Sequence, residues 1–382
     1  MKGLPRSPFR PTFGVNPPTV AGREEPIAEI GDAFEAGPGA AARITLATGA
    51  RGIGKTVLLN AIEDEARRHG WLVINETLSP GILSRLEDEH VPEAWRRVRA
   101  EIGPDPARPR SRRRLTGITL PAGLGGVSST LDPGEDLVGL RPNLTRLCDV
   151  MTERGAGVLL TVDEIHKVSG RARGDFETVA GTIQHLWREE RDIAFLAAGL
   201  PAAVQDLLTD DVTTFLRRAE RITLETLTAD EAADALAQPV RRAGREISAQ
   251  ALARAVEAAA GYPYMVQIVG DLAWRVDPRR AEITLDDVES IVPRAIRSLG
   301  EKVHRPAVAD LSAKDRDFLL AMVPDGRVSQ IADVIDRLGV DHAWASRYRQ
   351  RLLVAGMIRP EGRGRIAYAL PYLREFLAGM DV

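Results

Sequence analysis

Between Glu24 and Thr77 the spacing of apolar positions changes period three times. EEPIAEIGDAFEAG places them at helical intervals and RITLATG at 43–49 is a short apolar run. KTVLLNAIEDEARRHG returns to a helical stripe closed by Gly70, and WLVINET again reads as a strand. Further on, GVLLTVDE at 157–164 and DIAFLAAG at 192–199 are apolar enough for strands buried on both faces, and RITLETL at 221–227 supplies a fifth. Strands separated by helices predict a parallel sheet with helices on both sides.

After Thr228 the pattern becomes helical throughout: TADEAADALAQPVRRAG, SAQALARAVEAAAG, YPYMVQIVGDLAWRV and LDDVESIVPRAIRSLG. From Leu311 three more helices precede two short strands in MIRPEGRGRIAYAL, the order of a winged helix. Residues 1–19 hold five prolines and little periodicity, which predicts an extended arm. Between about 80 and 140 the pattern weakens, and RPRSRRRLTG at 108–117 sets five arginines among prolines and a serine. A mobile insertion is expected there, either a solvated basic loop or a contact for nucleic acid or a partner. The expected division is an arm at 1–19, an α/β core at 20–227 interrupted by the insertion, a helical lid at 228–306 and a winged helix at 307–382.

Composition narrows the classes. A chain of 382 residues with 44% hydrophobic and 27% charged residues suits a globular protein of two or three domains. The net charge of −3 gives no global pull toward nucleic acid or anionic lipid, so such binding has to be local. Cys148 is the only cysteine and the histidines lack ligand spacing, which fits a reducing cytoplasm and argues against a histidine metal site. Neither a signal peptide nor a membrane span is apparent, so a cytoplasmic protein without membrane contact is expected. Lysine is scarce, with Lys2, Lys55, Lys167, Lys302 and Lys314 making up the full set.

That scarcity draws attention to Lys55, because GARGIGKT at 49–56 satisfies G-x-x-x-x-G-K-[ST] between a strand and a helix. Glycines at Gly49, Gly52 and Gly54 free the main chain, so that the N–H groups of the run Ala50, Arg51, Ile53, Lys55, Thr56 and Val57 converge on phosphate oxygens. The helix N-terminus adds its positive end. Lys55 would reach the β- and γ-phosphates of ATP, and the Thr56 hydroxyl would ligate Mg²⁺. GVLLTVDE then releases Asp163 and Glu164 at the C-terminal edge of a buried strand, where open α/β sheets bind ligands. Asp163 would hold Mg²⁺ and Glu164 would polarise the attacking water. His166 and Lys167 read as solvated or packing residues at the start of the next helix.

VAGREEP at 20–26 is similar to the box that precedes the phosphate loop in STAND and archaeal-type AAA+ ATPases, and GYPY at 261–264 is similar to their lid signature. With the two stronger motifs in the same order, the chain from Val20 through the lid resembles that family, and its tail resembles that of archaeal origin-recognition initiators. The resemblance implies a P-loop NTPase (ASCE) fold: a parallel five-stranded sheet, a helical lid and a C-terminal winged-helix domain. It implies that Gly22 and Arg23 join the nucleotide pocket and that Pro263 packs on the base. FLRRAERITLETL resembles the family segment where an arginine contacts the γ-phosphate, from the same or a neighbouring subunit; Arg217 and Arg218 are the candidates, or else surface charges. One departure is clear, since the strand at 192–199 ends in Ala197, Ala198 and Gly199 where the family carries a polar sensor. Hydrolysis is therefore less secure than binding.

HAWASRYRQRLLVAGMI places Arg347, Arg349 and Arg351 on the helix that would read DNA, and residues 340–366 hold six arginines against two acidic residues. Arg363 and Arg365 in the wing would touch the phosphate backbone. The expected activity is an ATP-binding, ATP-hydrolysing molecular switch that couples nucleotide state to double-stranded DNA. The alternatives are a signalling or scaffold ATPase whose winged helix binds an effector protein, and a nucleotide-binding protein with negligible turnover. Self-assembly into a homo-oligomer would supply the arginine of a neighbour.

Overall fold

The computed structural model describes residues 6–12, 14–17, 19–102, 138–165, 170–209 and 214–380. The arginine cluster at 108–117, His166 and Lys167 lie outside the described residues. Five strands, Ile44–Gly49 (β1), Leu72–Thr77 (β2), Val158–Asp163 (β3), Ile193–Gly199 (β4) and Glu220–Leu224 (β5), form one parallel sheet in the order β2-β3-β4-β1-β5. The central strands are short and apolar because both faces are covered; every residue of β4 is buried, as are all but the last of β3. Glu24–Glu35 (α1) packs on Lys55–Arg68 (α2), and α2 lies across the sheet.

The strand order has a direct consequence for chemistry. Since β4 lies between β1 and β3, with Thr48 level with Gly199 and Ala197 level with Val162, the loop after β1 and the acidic end of β3 emerge on one edge. They are separated only by the small residues that end β4.

Residues 82–102 depart from expectation. Instead of belonging to a weakly patterned insertion they are helical, as Ile82–Arg85 (α3), a five-residue π-turn at Leu86–His90 and Val91–Ile102 (α4). Ile82, Leu86, Val91, Ala94, Trp95 and Val98 are buried in the main core. The π-turn explains why the stripe was illegible, because it inserts one residue between Leu86 and Val91 and breaks the 3.6-residue period. Leu140–Thr152 (α5), Arg171–Arg188 (α6) and Pro201–Thr209 (α7) complete the layers around the sheet.

A helical unit follows: Ala229–Arg242 (α8), Ala249–Ala259 (α9), Pro263–Val276 (α10) and Leu285–Leu299 (α11). Its ends are set locally. Thr228 with Glu231 and Thr284 with Asp287 form capping boxes, Ser248 caps α9, and Pro263 starts α10 with its φ already helical. Two-residue strands, Glu246–Ile247 (β6) and Glu282–Ile283 (β7), tie the loops together.

The C-terminal part contains Arg305–Ala309 (α12), Ala313–Met322 (α13), Ile331–Leu338 (α14), His342–Val354 (α15) and Leu373–Ala378 (α16). Ser329–Gln330 (β8), Ile358–Pro360 (β9) and Arg365–Tyr368 (β10) form an antiparallel sheet in the order β8-β10-β9, one strand more than the hairpin expected. The β9–β10 turn uses Gly362 and Gly364 at positive φ.

The described part of the N-terminal arm is packed against the rest of the chain. Phe9 is 4% exposed and lies over α10 at Gly270, where a Cβ would come within 2.4 Å of its ring.

Candidate functional site

The phosphate loop turns sharply because Gly52 and Gly54 adopt φ of +68° and +100°, open to few side chains. Helix α2 then begins at Lys55, so its first-turn N–H groups, which have no acceptor within the helix, face the same cleft. Lys55 is 6% exposed, and its ammonium donates to the carbonyls of Gly49 at 2.9 Å and Ala50 at 2.8 Å. Burial pushes its pKa down to about 8, against the opposing pull of Glu164 and Asp163 and with a further push from Arg51.

The Thr56 hydroxyl donates to Asp163 Oδ2 at 2.5 Å, joining the loop after β1 to the end of β3 across β4. This pair fits a magnesium ion. Mg²⁺ in phosphate-transfer sites takes one or two protein oxygens and completes its shell with phosphate and water, and a hydroxyl beside a carboxylate offers that donor set. Glu164 lines the cleft in a left-handed conformation, φ +60°, rare for a residue with a side chain and typical of functional sites. Its N–H donates to Asp163 Oδ1 at 2.7 Å, which helps to hold both carboxyl-bearing residues in place.

The cleft has a volume of about 460 Å³. Of the residues singled out from sequence, Arg23, Arg51, Gly52, Ile53, Gly54, Lys55, Thr56, Val57, Glu164 and Pro263 line it. Gly49, Ala50 and Asp163 stand directly behind, through the hydrogen bonds to Lys55 and Thr56. Gly22 supports the rim. A Cβ there would fall 2.4 Å from the Glu231 carboxylate, and Arg23 beside it donates to the carbonyls of Gly22 and Glu225.

Arg217 and Arg218 are not brought to this cleft. Arg217 donates to the Leu208 carbonyl at 2.6 Å, and Arg218 borders a separate depression with Ile44, Trp187 and Phe215. Ile44 begins β1, so that depression opens at the opposite edge of the sheet from Asp163.

Other residues at the site had not been singled out. Tyr262, 1% exposed, donates its hydroxyl to the Arg51 carbonyl at 2.8 Å and lies where a Cβ on Gly52 would come within 1.9 Å, so the helical unit is keyed onto the phosphate loop. The arm forms a wall through Arg10, Val15 and Pro17, held by the Arg10 N–H to Gln267 Oε1 at 3.0 Å. Lys302 and Val303 close another side. The sequence signals were the tyrosines flanking Pro263 and the phenylalanines in a proline-rich arm.

In the C-terminal part, Arg347, Arg363 and Arg365 are exposed, whereas Arg349 is half-buried. Arg351 is committed elsewhere: it pairs with the buried Asp315 at 2.6 Å and lies over the Tyr348 ring.

Residues 19–176 match a family described as the AAA ATPase domain. This stretch is an AAA ATPase domain. The AAA ATPase domain is a nucleotide-binding ATPase, and the described cleft is the one its phosphate loop borders. Residues 301–377 match a second family, a domain of unknown function. Among curated proteins, none matches the sequence. Among the solved structures that resemble the chain along nearly its whole length are two with the same overall fold. A Walker-type ATPase of Pyrococcus abyssi is 16% identical over 98% of this chain and 99% of that one, with a TM-score of 0.60. The Aeropyrum pernix ORC2 protein, solved in ADPNP–ADP complexes, is 14% identical over 98% of each chain, with a TM-score of 0.62. At these identities the likeness is one of fold. Among the described residues, no helix beside the AAA ATPase domain or within it is long and apolar enough to cross a membrane.

Proposed function

We propose that the protein is a nucleotide-operated switch in which the cleft takes ATP with Mg²⁺ and the C-terminal part docks on double-stranded DNA. The observation that carries the nucleotide half is the meeting of Lys55, Thr56 and Asp163 on one sheet edge, faced across the cleft by Pro263 and Tyr264. Lys55 and the first-turn amides of α2 neutralise the triphosphate, Thr56 and Asp163 hold the metal, and Glu164 orients the water and takes its proton. When bound, Mg²⁺ neutralises charge on the phosphate oxygens. Arg23 and Gly22 support the base end, which Pro263 closes with the apolar Val20 and Leu227. Arg217 or Arg218 serves only if a neighbouring subunit presents it.

Helices α13, α14 and α15 followed by β9 and β10 have the order of a winged helix, with α15 as the reading helix and the β9–β10 turn as the wing. Arg347, Arg363 and Arg365 form its exposed basic face. The test is filter binding to a duplex across a salt series, with and without ATP and magnesium. Replacing Arg347 and Arg363 by alanine removes two phosphate contacts and lowers the salt slope by about 2. A slope and affinity equal to the parent's defeat the DNA reading.

A second reading draws on Arg351. Its pairing with Asp315, together with the packing of α15 against α7, leaves less of the helix for a groove and favours a scaffold ATPase whose winged helix binds an effector protein. That reading expects no duplex binding at any salt concentration. Turnover is a separate question, because β4 ends in buried Ala197 and Ala198 with no polar side chain to position water.

A further inference from the structure

Arg51 makes contacts that a place in the phosphate loop does not require. Its carbonyl accepts the Tyr262 hydroxyl from the helical unit, and its Nε donates to the Ala355 carbonyl, just past α15, at 3.2 Å. Next to that contact Gly356, at φ +66°, lies against Leu200, with the position of a Cβ only 3.2 Å from Leu200 Cδ2. Leu200 immediately follows β4, so the C-terminal part is seated on the sheet edge that carries the phosphate loop. The Arg51 side chain also lines the cleft, and among the described residues its Nη1 and Nη2 have no hydrogen-bond or ion-pair partner. A guanidinium is a planar fork that serves two acceptors at once, which an ammonium on a flexible stem does far less well.

We propose that Arg51 is a two-sided ligand, with its Nη groups on a phosphate oxygen of the nucleotide and its Nε on Ala355, so that nucleotide binding and docking of the C-terminal part strengthen each other. The proposal rests on the nucleotide reading of the cleft and adds the route by which occupancy reaches the C-terminal part. A phosphate fixes the side-chain rotamer that the Ala355 contact needs, so the second bond forms at a smaller entropic cost. Reciprocity follows from linkage, since whatever nucleotide does to docking, docking does to nucleotide affinity.

Hydrogen exchange on the full chain, with and without ADP and magnesium, reads the docking side, and calorimetry on the same samples reads binding. Nucleotide should slow exchange across residues 352–358 by about 5- to 20-fold in the parent, and Arg51→Lys should lose that slowing. Gly356→Ala, which adds a methyl against Leu200 outside the cleft, should weaken nucleotide binding about 5-fold. The proposal is overturned if nucleotide binds the parent with unchanged exchange at 352–358, or if Gly356→Ala binds as tightly as the parent. No binding heat in the parent would remove the nucleotide reading, and this proposal with it.

Discussion

Lys55 is the residue on which a quantitative argument can be pressed hardest. An exposed lysine stays charged to about pH 10.5, but burial holds this one near 8. If only the ammonium form receives the triphosphate, the apparent dissociation constant grows as the free protein loses that proton. Between pH 7.5 and 9.5 affinity should then fall by about 20-fold, or ~1.8 kcal/mol, where an ordinary lysine would change it hardly at all. The terminal phosphate, with a second ionisation near ~6, is already fully charged throughout this range. Calorimetry with a non-hydrolysable ATP analogue and magnesium at half-unit pH steps measures the curve. Lys55→Arg should bind more weakly and give a flat curve, because a guanidinium keeps its charge. Protein stability moves the other way. With the folded pKa below the unfolded 10.5, burying the ammonium is a cost at pH 7 that is relieved as pH rises from 8 to 10.5, by at most about 3 kcal/mol. Denaturant unfolding of the parent and Lys55→Met, compared over that window, isolates this term. A flat affinity curve in the parent, with no excess gain in stability over the variant, would refute the reasoning.

Tyr262→Phe removes the hydroxyl bonded to the Arg51 carbonyl and should cost about 1 kcal/mol, seen as a lower thermal midpoint and a several-fold weaker nucleotide affinity. Gly52→Ala and Gly54→Ala both place a side chain at positive φ, each at about 1–2 kcal/mol. Only Gly52→Ala also strikes the Tyr262 hydroxyl, so it should be the worse of the two in unfolding and in binding; equal losses would deny the keyed contact. Glu164→Gln should keep nucleotide affinity while reducing phosphate release about 10²- to 10⁴-fold. Equal rates in parent and variant would take Glu164 out of catalysis.

Sequence made the sheet legible because buried parallel strands are continuous apolar runs, and GARGIGKT and VDE stand at strand ends where position and composition agree. What escaped it was of two kinds. The π-turn at Leu86–His90 displaced a helical stripe by one residue, so α3 and α4 looked like an irregular insertion. Contacts distant in sequence carry no local signal at all: Tyr262 on Gly52, Arg10 on Gln267 and Arg51 on Ala355 arise only when the helical and C-terminal parts pack on the sheet. Arg217 and Arg218 show the converse, since a segment similar to a family's arginine site fixed their place in the chain but not which edge of the sheet they face.

Phe9 has a practical bearing on how this protein is handled. A boundary drawn at Val20, where the recognisable pattern begins, would discard the ring that fills the slot over Gly270, and with it Arg10, Val15 and Pro17. Such a shortened protein would present a bare apolar trough on α10 and a binding site open along one side. Weak affinity measured on it would reflect the missing strap of main chain rather than a poor phosphate loop.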